Sequence, residues 1–217
     1  MKFDQHKMTW KFNNKIAKVF NKHARQHIPD YDRVIDLSVD ICEQKLKKDS
    51  NILEVGCAIG ETIKKLDKKG LKNIHAVDNS AEMLNRCPTN KATYYCSSIF
   101  PTNDIKFNAV LCNWTLHFMN NKIEYLKEIY NSLLPGGFIV LSEKTENTGL
   151  ALEQYYRYKT NNGVKEKEIR EKEKLLKDVM FIDSVEWYLK NLKIIGFEEV
   201  YIANATWCFT TFVAVKK

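Results

Sequence analysis

Short apolar runs and amphipathic stretches alternate along most of this chain. Residues 12–24 set Phe12, Ile16, Val19 and Phe20 at helical spacing, and Pro29 breaks that helix. Residues 32–46 repeat the pattern with Val34, Ile35, Leu37, Ile41 and Leu46. A polar link then leads into Ile52-Leu53-Glu54-Val55, which reads as a buried strand. Gly56 arrives where that strand should end, and residues 61–66 have the spacing of an amphipathic helix. Further strands are expected at 73–77, 93–96, 107–112 and 138–141, with helices at 81–86 and 123–134 between them. Asn79-Ser80 offers a cap to the first of these helices, and Pro135-Gly136-Gly137 a stop to the second. Strand and helix alternating through short loops predict a parallel, doubly wound α/β sheet, which binds ligands beyond the carboxyl ends of its strands. Gly56, Asp78, Ser97, Asn113 and Ser142 all fall there.

After the fifth strand the alternation stops. Residues 148–159 and 165–180 read as two helices about Asn161-Asn162-Gly163, the second dense in Glu–Lys pairs four apart that support an exposed helix. Residues 185–195 form another helix ended by Gly196, and 199–203 with 209–215 form a closing antiparallel hairpin. We expect a single domain over 1–217, with N-terminal helices in 1–48 and a helical lid inserted at 142–183 over the ligand edge.

The turn after the first strand carries the most chemistry. Gly56 can take φ > 0 and, lacking Cβ, lets a ligand approach the backbone. Asp78, twenty-two residues further on at the end of the second strand, is placed to accept hydrogen bonds from both ribose hydroxyls of an adenosine. The glycines alone form G-x-x-x-G, with Ala58 where a strict dinucleotide fingerprint has its second glycine, and an ordinary strand-to-helix turn would fit them too.

Composition narrows the classes. A chain of 217 residues, 44% apolar, can bury a substantial core and is not disordered. No apolar run approaches the ~20 residues of a membrane span, and Met1-Lys2-Phe3-Asp4-Gln5-His6 does not open a signal peptide. The formal charge of +7 suits an anionic partner, but the lysines are scattered among acids, as on an ordinary solvated surface. Cys42, Cys57, Cys87, Cys96, Cys112 and Cys208 contain no C-x-x-C pair and no histidine at ligand spacing, which fits a reduced cytoplasmic protein without a metal site.

Glu54, Gly56 and Gly60, followed by Asp78, form an E-x-G-x-x-x-G pattern with a later acid that resembles motif I of class I S-adenosylmethionine (SAM) methyltransferases. The L-x-P-G-G stop before strand five is similar to the same superfamily. The resemblance implies a Rossmann-like fold, with a seven-stranded, mostly parallel sheet ending in an antiparallel hairpin, and SAM as cofactor. The implied cofactor site comprises Glu54, Gly56, Cys57, Ala58, Gly60, Asp78, Asn79, Met83, Ser97, Ser98, Ile99 and Asn113.

A closer resemblance, to the carboxy-S-adenosyl-L-methionine (carboxy-SAM) synthase family, rests on several further stretches. They are Val19-Phe20 with Ile28-Pro29-x-Tyr31, Asp78-Asn79-Ser80, Leu141-Ser142-Glu143-Lys144, Lys159-x-x-Asn162-Gly163, Glu168-Ile169-x-x-Lys172 and Asp183-Ser184-Val185-Glu186. It implies conversion of SAM and prephenate into carboxy-SAM, whose carboxymethyl group goes through a partner enzyme to tRNA wobble uridine. Direct nucleic-acid binding is not expected, because no aromatic-basic stripe is present. Three positions depart from that family. Glu173 stands where its lid helix has a carboxylate-binding arginine, Ser98 where an acid reads the adenine, and Leu116-His117-Phe118 looks more like small-molecule methyltransferases. An anion in place of a bidentate cation repels the group it should hold.

The expected function is therefore methyl transfer from SAM to a small-molecule acceptor, with carboxy-SAM synthesis as the alternative and a non-catalytic SAM-binding module as a third reading. Catalytic candidates are Tyr31, His117 and Glu143, and Tyr158, Arg170 and Glu173 are the lid candidates. Tyr31 could instead cap a helix junction, and His117 could be a packed core residue. A homodimer is left open, and no membrane partner is expected.

Overall fold

The computed structural model describes residues 14–88, 91–101 and 105–217. Two helices, α1 (Asn14–His27) and α2 (Tyr31–Lys45), precede β1 (Asn51–Val55). There follow α3 (Glu61–Lys68), β2 (Asn73–Asp78), α4 (Ala81–Leu84), β3 (Thr93–Cys96), β4 (Phe107–Asn113), α5 (Lys122–Ser132) and β5 (Leu133–Lys144). The chain closes with α6 (Gly149–Asn161), α7 (Glu166–Leu176), α8 (Val185–Ile195), β6 (Glu199–Thr206) and β7 (Phe209–Val215). The described strands form one seven-stranded sheet in the order β3-β2-β1-β4-β5-β7-β6. Neighbours among β1 to β5 are parallel, and β7 runs antiparallel to both β5 and β6. This is the expected doubly wound sheet with its antiparallel C-terminal pair.

The central strands alternate between two cores because successive side chains point to opposite faces. Ile52, Ala109, Leu111 and Val140 pack toward α2 and α3 with Ile35, Val39, Ile63 and Leu66. Leu53, Val55, Val110, Cys112, Ile139 and Leu141 pack toward α5 and α8 with Leu126, Ile129, Tyr188 and Leu192. The same alternation puts Glu54 on the α2–α3 side. Ser80 caps α4 by accepting from the Met83 N–H at 3.2 Å, and Ser184 caps α8 by accepting from the Trp187 N–H at 3.1 Å.

Boundaries differ from expectation where proline acts. Leu133 and Leu134 belong to β5, not to the preceding helix, because Pro135 disfavours a helical conformation in the residue before it. The Pro-Gly-Gly segment sits inside β5, opposite a register irregularity between Phe107 and Ala109. A Cβ at Gly137 would meet the Leu134 carbonyl at 2.8 Å, so glycine there permits a close backbone approach. Helix α7 stops at Leu176 instead of Met180, whereas α1 runs to His27, just ahead of Pro29 as expected. Phe12 lies outside the described residues.

Gly196, at φ 124, ends α8, and a Cβ there would meet Tyr130 Cζ and Oη at 2.9 Å. Gly196→Ala should lower stability by about 1–3 kcal/mol through backbone strain and overpacking. Urea denaturation checks this, with a reduced midpoint at an unchanged slope as the expected result.

Candidate functional site

The carboxyl ends of β1, β2, β4 and β5 open into a cavity of about 530 Å³, within the ~300–1,000 Å³ of small-ligand sites. Its floor is the turn after β1. Gly56, Ala58 and Gly60 all have positive φ (69°, 47° and 76°), and the Gly56 N–H is anchored on the Val77 carbonyl at 2.8 Å. Asp78 locks this turn to the next one, with Oδ2 accepting from the Ala58 N–H and Oδ1 from the Ser80 N–H, each at 2.9 Å. Burial raises the Asp78 pKa, and the backbone donors of Ser80, Ala58 and Asn79 oppose that rise.

Gly56 takes the positive φ that the sequence suggests, and the room left by its missing Cβ is filled by Thr115. A Cβ there would lie 2.1 Å from Thr115 Oγ1 and 2.6 Å from Thr115 Cγ2. The space over the glycine belongs to Thr115, whose hydroxyl donates to the carbonyls of Val55 at 3.1 Å and Asn113 at 3.2 Å. The constraint is therefore packing between two strand ends.

Beside the turn, buried polar groups lack protein partners. Glu54 Oε2 and both side-chain polar atoms of Asn113 are buried without a hydrogen bond, and both residues line the cavity. Desolvation pushes Glu54 up to about 8, against the pull of a hydrogen bond with Thr62, so a cationic ligand group beside it would restore its charge. Orphaned acceptors of this kind call for a ligand donor. The arrangement fits a ligand carrying an ammonium and a nucleoside: Glu54 and Asn113 reach the first, Asp78 and Asn79 the second.

The catalytic candidates divide. His117 lines the cavity, with Nδ1 2.6 Å from Glu143 Oε2. Glu143 does not line it. It is fully buried, and it also accepts from the N–H groups of Thr115 (3.1 Å), Leu116 (2.8 Å) and His117 (2.8 Å), which consume its carboxylate in holding that turn. Glu143 is thus a positioning residue and not a base facing ligand. Tyr31 lines the cavity as the first residue of α2 and stacks on Trp114 at 5.0 Å between centroids. Burial first, then nearby Glu54 and Glu61, raise its pKa, so it stays a neutral phenol.

The helices inserted between β5 and α8 form the opposite wall. Ile169, Lys172, Glu173 and Leu176 recur at three- and four-residue spacing along α7 and face the cavity. Arg170 does not: its side chain is 78% exposed and sits 3.9 Å from Glu166. Tyr158 is not in the wall either, since its hydroxyl donates to the carbonyls of Arg25 at 2.6 Å and Ile28 at 3.2 Å, tying α6 to α1. Ile99 is 67% exposed, and Gly60 serves as the N-cap of α3, so both lie off the lining. Cys57, Ala58, Met83, Ser97 and Ser98 are on it.

Sequence reasoning quoted Lys144, Lys159 and Lys172 in the family-like stretches but did not bring them together on one wall. Lys144, Lys159 and Lys172 line the cavity together with His23 and His27. Lys172 Nζ lies 3.0 Å from His23 Nε2, and Lys159 Nζ stands 4.1 Å over the Tyr155 ring and 3.9 Å from Glu173 Oε1. Burial, then the charges of Lys159 and Lys144, hold Lys172 down to about 7, and burial holds Lys159 down to about 8. Desolvation, then Lys172, lowers His23 to about 3 and His27 to about 4, so both rings are neutral at physiological pH. The available signal was the i, i+4 spacing of His23 and His27 on α1.

Fold and cavity define a class I SAM-dependent methyltransferase architecture. A family model described as a methyltransferase domain matches residues 53–141. The magnesium protoporphyrin IX methyltransferase of Synechocystis PCC 6803, solved with bound SAH, superimposes with a TM-score of 0.64 at 13% identity, covering 92% of this chain and 94% of that one. Sequence relatives are nearer. The carboxy-S-adenosyl-L-methionine synthase of Shewanella sediminis is 32% identical over 95% of this chain and 93% of its own. That of Yersinia pestis strain Pestoides F is 31% identical over 95% and 84%. The chain belongs to the carboxy-S-adenosyl-L-methionine synthase family. It is a SAM-dependent transferase, with SAM as cofactor, which sets aside the reading as a non-catalytic binding module.

Asp78→Ala should weaken SAM at least about tenfold, because it frees the Ala58 and Ser80 N–H groups and loosens the turn. Gly56→Val should abolish binding by driving Thr115 off the strand end. Calorimetric titration with SAM reads both, and unchanged affinity in either variant would refute the assignment.

Proposed function

We propose that this enzyme is a carboxy-SAM synthase: prephenate gives up its ring carboxyl as CO2 and its hydroxyl as hydroxide, aromatising to phenylpyruvate, the CO2 joins the SAM methyl carbon, and the proton that carbon loses leaves with the hydroxide as water. The observation that supports this reading is the cluster of Lys144, Lys159 and Lys172 lining the same cavity as the glycine turn, and the relatives named above point the same way. Bound SAM supplies a methyl group activated by its sulfonium.

The chain supplies the rest. Glu54 and Asn113 anchor an amino-acid end, Asp78 a ribose, and the lysines draw a carboxylated donor toward the opposite end. In a half-dry site such charge pairs are worth far more than in bulk water. Glu173 subtracts one charge, but it is engaged with Lys159 and does not neutralise Lys144 or Lys172. Donor carboxylates thus have cations to meet without the family's arginine. His117, with Nδ1 held by Glu143, is oriented to donate or accept at the cavity through its other ring nitrogen. Helices α6 and α7 exclude water, acting as a lid.

A second reading, methyl transfer to a small acceptor, draws on Glu173, whose charge would favour a cationic acceptor over a carboxylate. Incubating the enzyme with SAM and prephenate separates the two: carboxy-SAM appears under the first, and neither substrate is consumed under the second.

Protonation of the wall gives a pH signature. Anions bind the charged lysines, so affinity for prephenate should be greatest below about pH 7 and fall as pH rises through about 7 to 8, where Lys172 and then Lys159 discharge. Lys172→Met should weaken binding about tenfold at pH 6.5 or so and flatten the profile. Calorimetry in buffers of different ionisation heat should show proton uptake on binding near pH 7.5 or so in wild type and less in the variant. Glu173→Arg should raise the preference for carboxy-SAM over SAM several-fold, read by titrating both ligands, and an unchanged ratio would remove Glu173 from the argument.

A further inference from the structure

The cofactor turn holds a pair of thiols that the transfer chemistry does not use. The six cysteines are free. Cys57 is buried and on the cavity wall, and Cys87 lies half-buried after α4. Both sulfurs approach one acceptor, the Ala58 carbonyl, Cys87 Sγ at 3.5 Å and Cys57 Sγ at 3.9 Å. Sharing that acceptor brings the two thiols beside each other. Cys87 also packs under Gly60, where a Cβ would meet its sulfur at 3.1 Å. Two segments twenty-nine residues apart thus converge, through sulfur, on the carbonyl of Ala58, a residue whose N–H is held by Asp78.

We propose that Cys57 and Cys87 are a reversible oxidation site, at which a hydroperoxide closes a disulfide that displaces the Cys57-Ala58 turn and weakens SAM binding. The proposal rests on the SAM site and is independent of which group the enzyme transfers. Cys87 is the entry point, being the more exposed thiol. Hydrogen bonds from Cys57 and Tyr94 also lower its pKa, whereas Cys57 is pushed up by its bond to Cys87 and by burial.

The Cys87 thiolate attacks the peroxide, the O–O bond breaks, and the departing hydroxide takes a proton to leave as water, giving a sulfenic acid. The Cys57 sulfur then attacks that sulfur. The S–S bond forms, and the sulfenic hydroxyl leaves with the Cys57 proton as a second water. Two thiols are oxidised and one peroxide is reduced by two electrons. A disulfide needs its sulfurs ~2.05 Å apart, closer than two unbonded sulfurs stand, so the turn must move. Ala58 already has a positive φ of 47° and loses both S–H donors at its carbonyl, so the displacement reaches Asp78.

The test begins with calorimetric titration of the reduced protein with SAM; no binding there would sink the SAM site itself, and this proposal with it. The protein is then treated with hydrogen peroxide, mapped by peptide mass spectrometry, titrated again, and reduced with dithiothreitol. The expected result is a Cys57–Cys87 cross-linked peptide, SAM affinity at least about tenfold weaker, and recovery on reduction. Saturating SAM should slow cross-linking, and Cys87→Ser should bind SAM normally and keep its affinity through peroxide. Oxidation of exposed Cys96 without the cross-link would overturn the proposal, as would a cross-linked protein of undiminished affinity. If Cys87→Ser does not fold, the wild-type peptide map and the recovery on reduction decide the matter.

Discussion

The carboxylate of Asp78 is the constraint on which the cofactor end of this molecule depends. One oxygen accepts from Ala58 and the other from Ser80, so a single side chain holds the turn after β1 against the turn after β2. The first turn needs that hold, because Ala58 sits at positive φ, a conformation that disfavours a residue with a Cβ by about 1 kcal/mol or more. The same carboxylate faces the cavity with lone pairs to spare. Structure and ligand binding therefore draw on one group.

A second carboxylate does comparable work without touching ligand. Glu143 gathers the N–H groups of Thr115, Leu116 and His117 and the His117 ring, fixing the turn after β4. Thr115 in turn occupies the space above Gly56. Through this chain of contacts the ends of β1, β2, β4 and β5 form one rigid rim. Across from it the inserted helices bring lysines into a half-buried setting, so the cavity is acidic at the turn and basic at the insertion. That polarity suits a ligand with a cationic centre near one end and a carboxylate delivered from the other.

The sheet was legible in the sequence because its strands are short apolar runs ending in glycine, aspartate or asparagine, and its helices keep a 3.6-residue period. Where tertiary contacts overrode local pattern, reading failed. Leu133 and Leu134 continue the helical spacing of α5, yet Pro135 turns them into strand. Arg170 and Glu173 were both lid candidates, and packing fixes the phase of α7: Ile169 is buried, Glu173 lies one turn on along the same face, and Arg170 is rotated to solvent. Glu143 read as a base because its three backbone donors come from a segment more than twenty-five residues away. Lys144, Lys159 and Lys172 stood in the family-like stretches, but their meeting on one wall was illegible for the same reason, being assembled from β5, α6 and α7.

The most direct measurement is mass spectrometry of the small molecules released when the enzyme, as purified, is denatured. The account predicts carboxy-SAM, heavier than SAM by one CO2, held between the acidic turn and the basic wall. SAM or S-adenosylhomocysteine alone, with no carboxylated form even after prephenate is added, would contradict it.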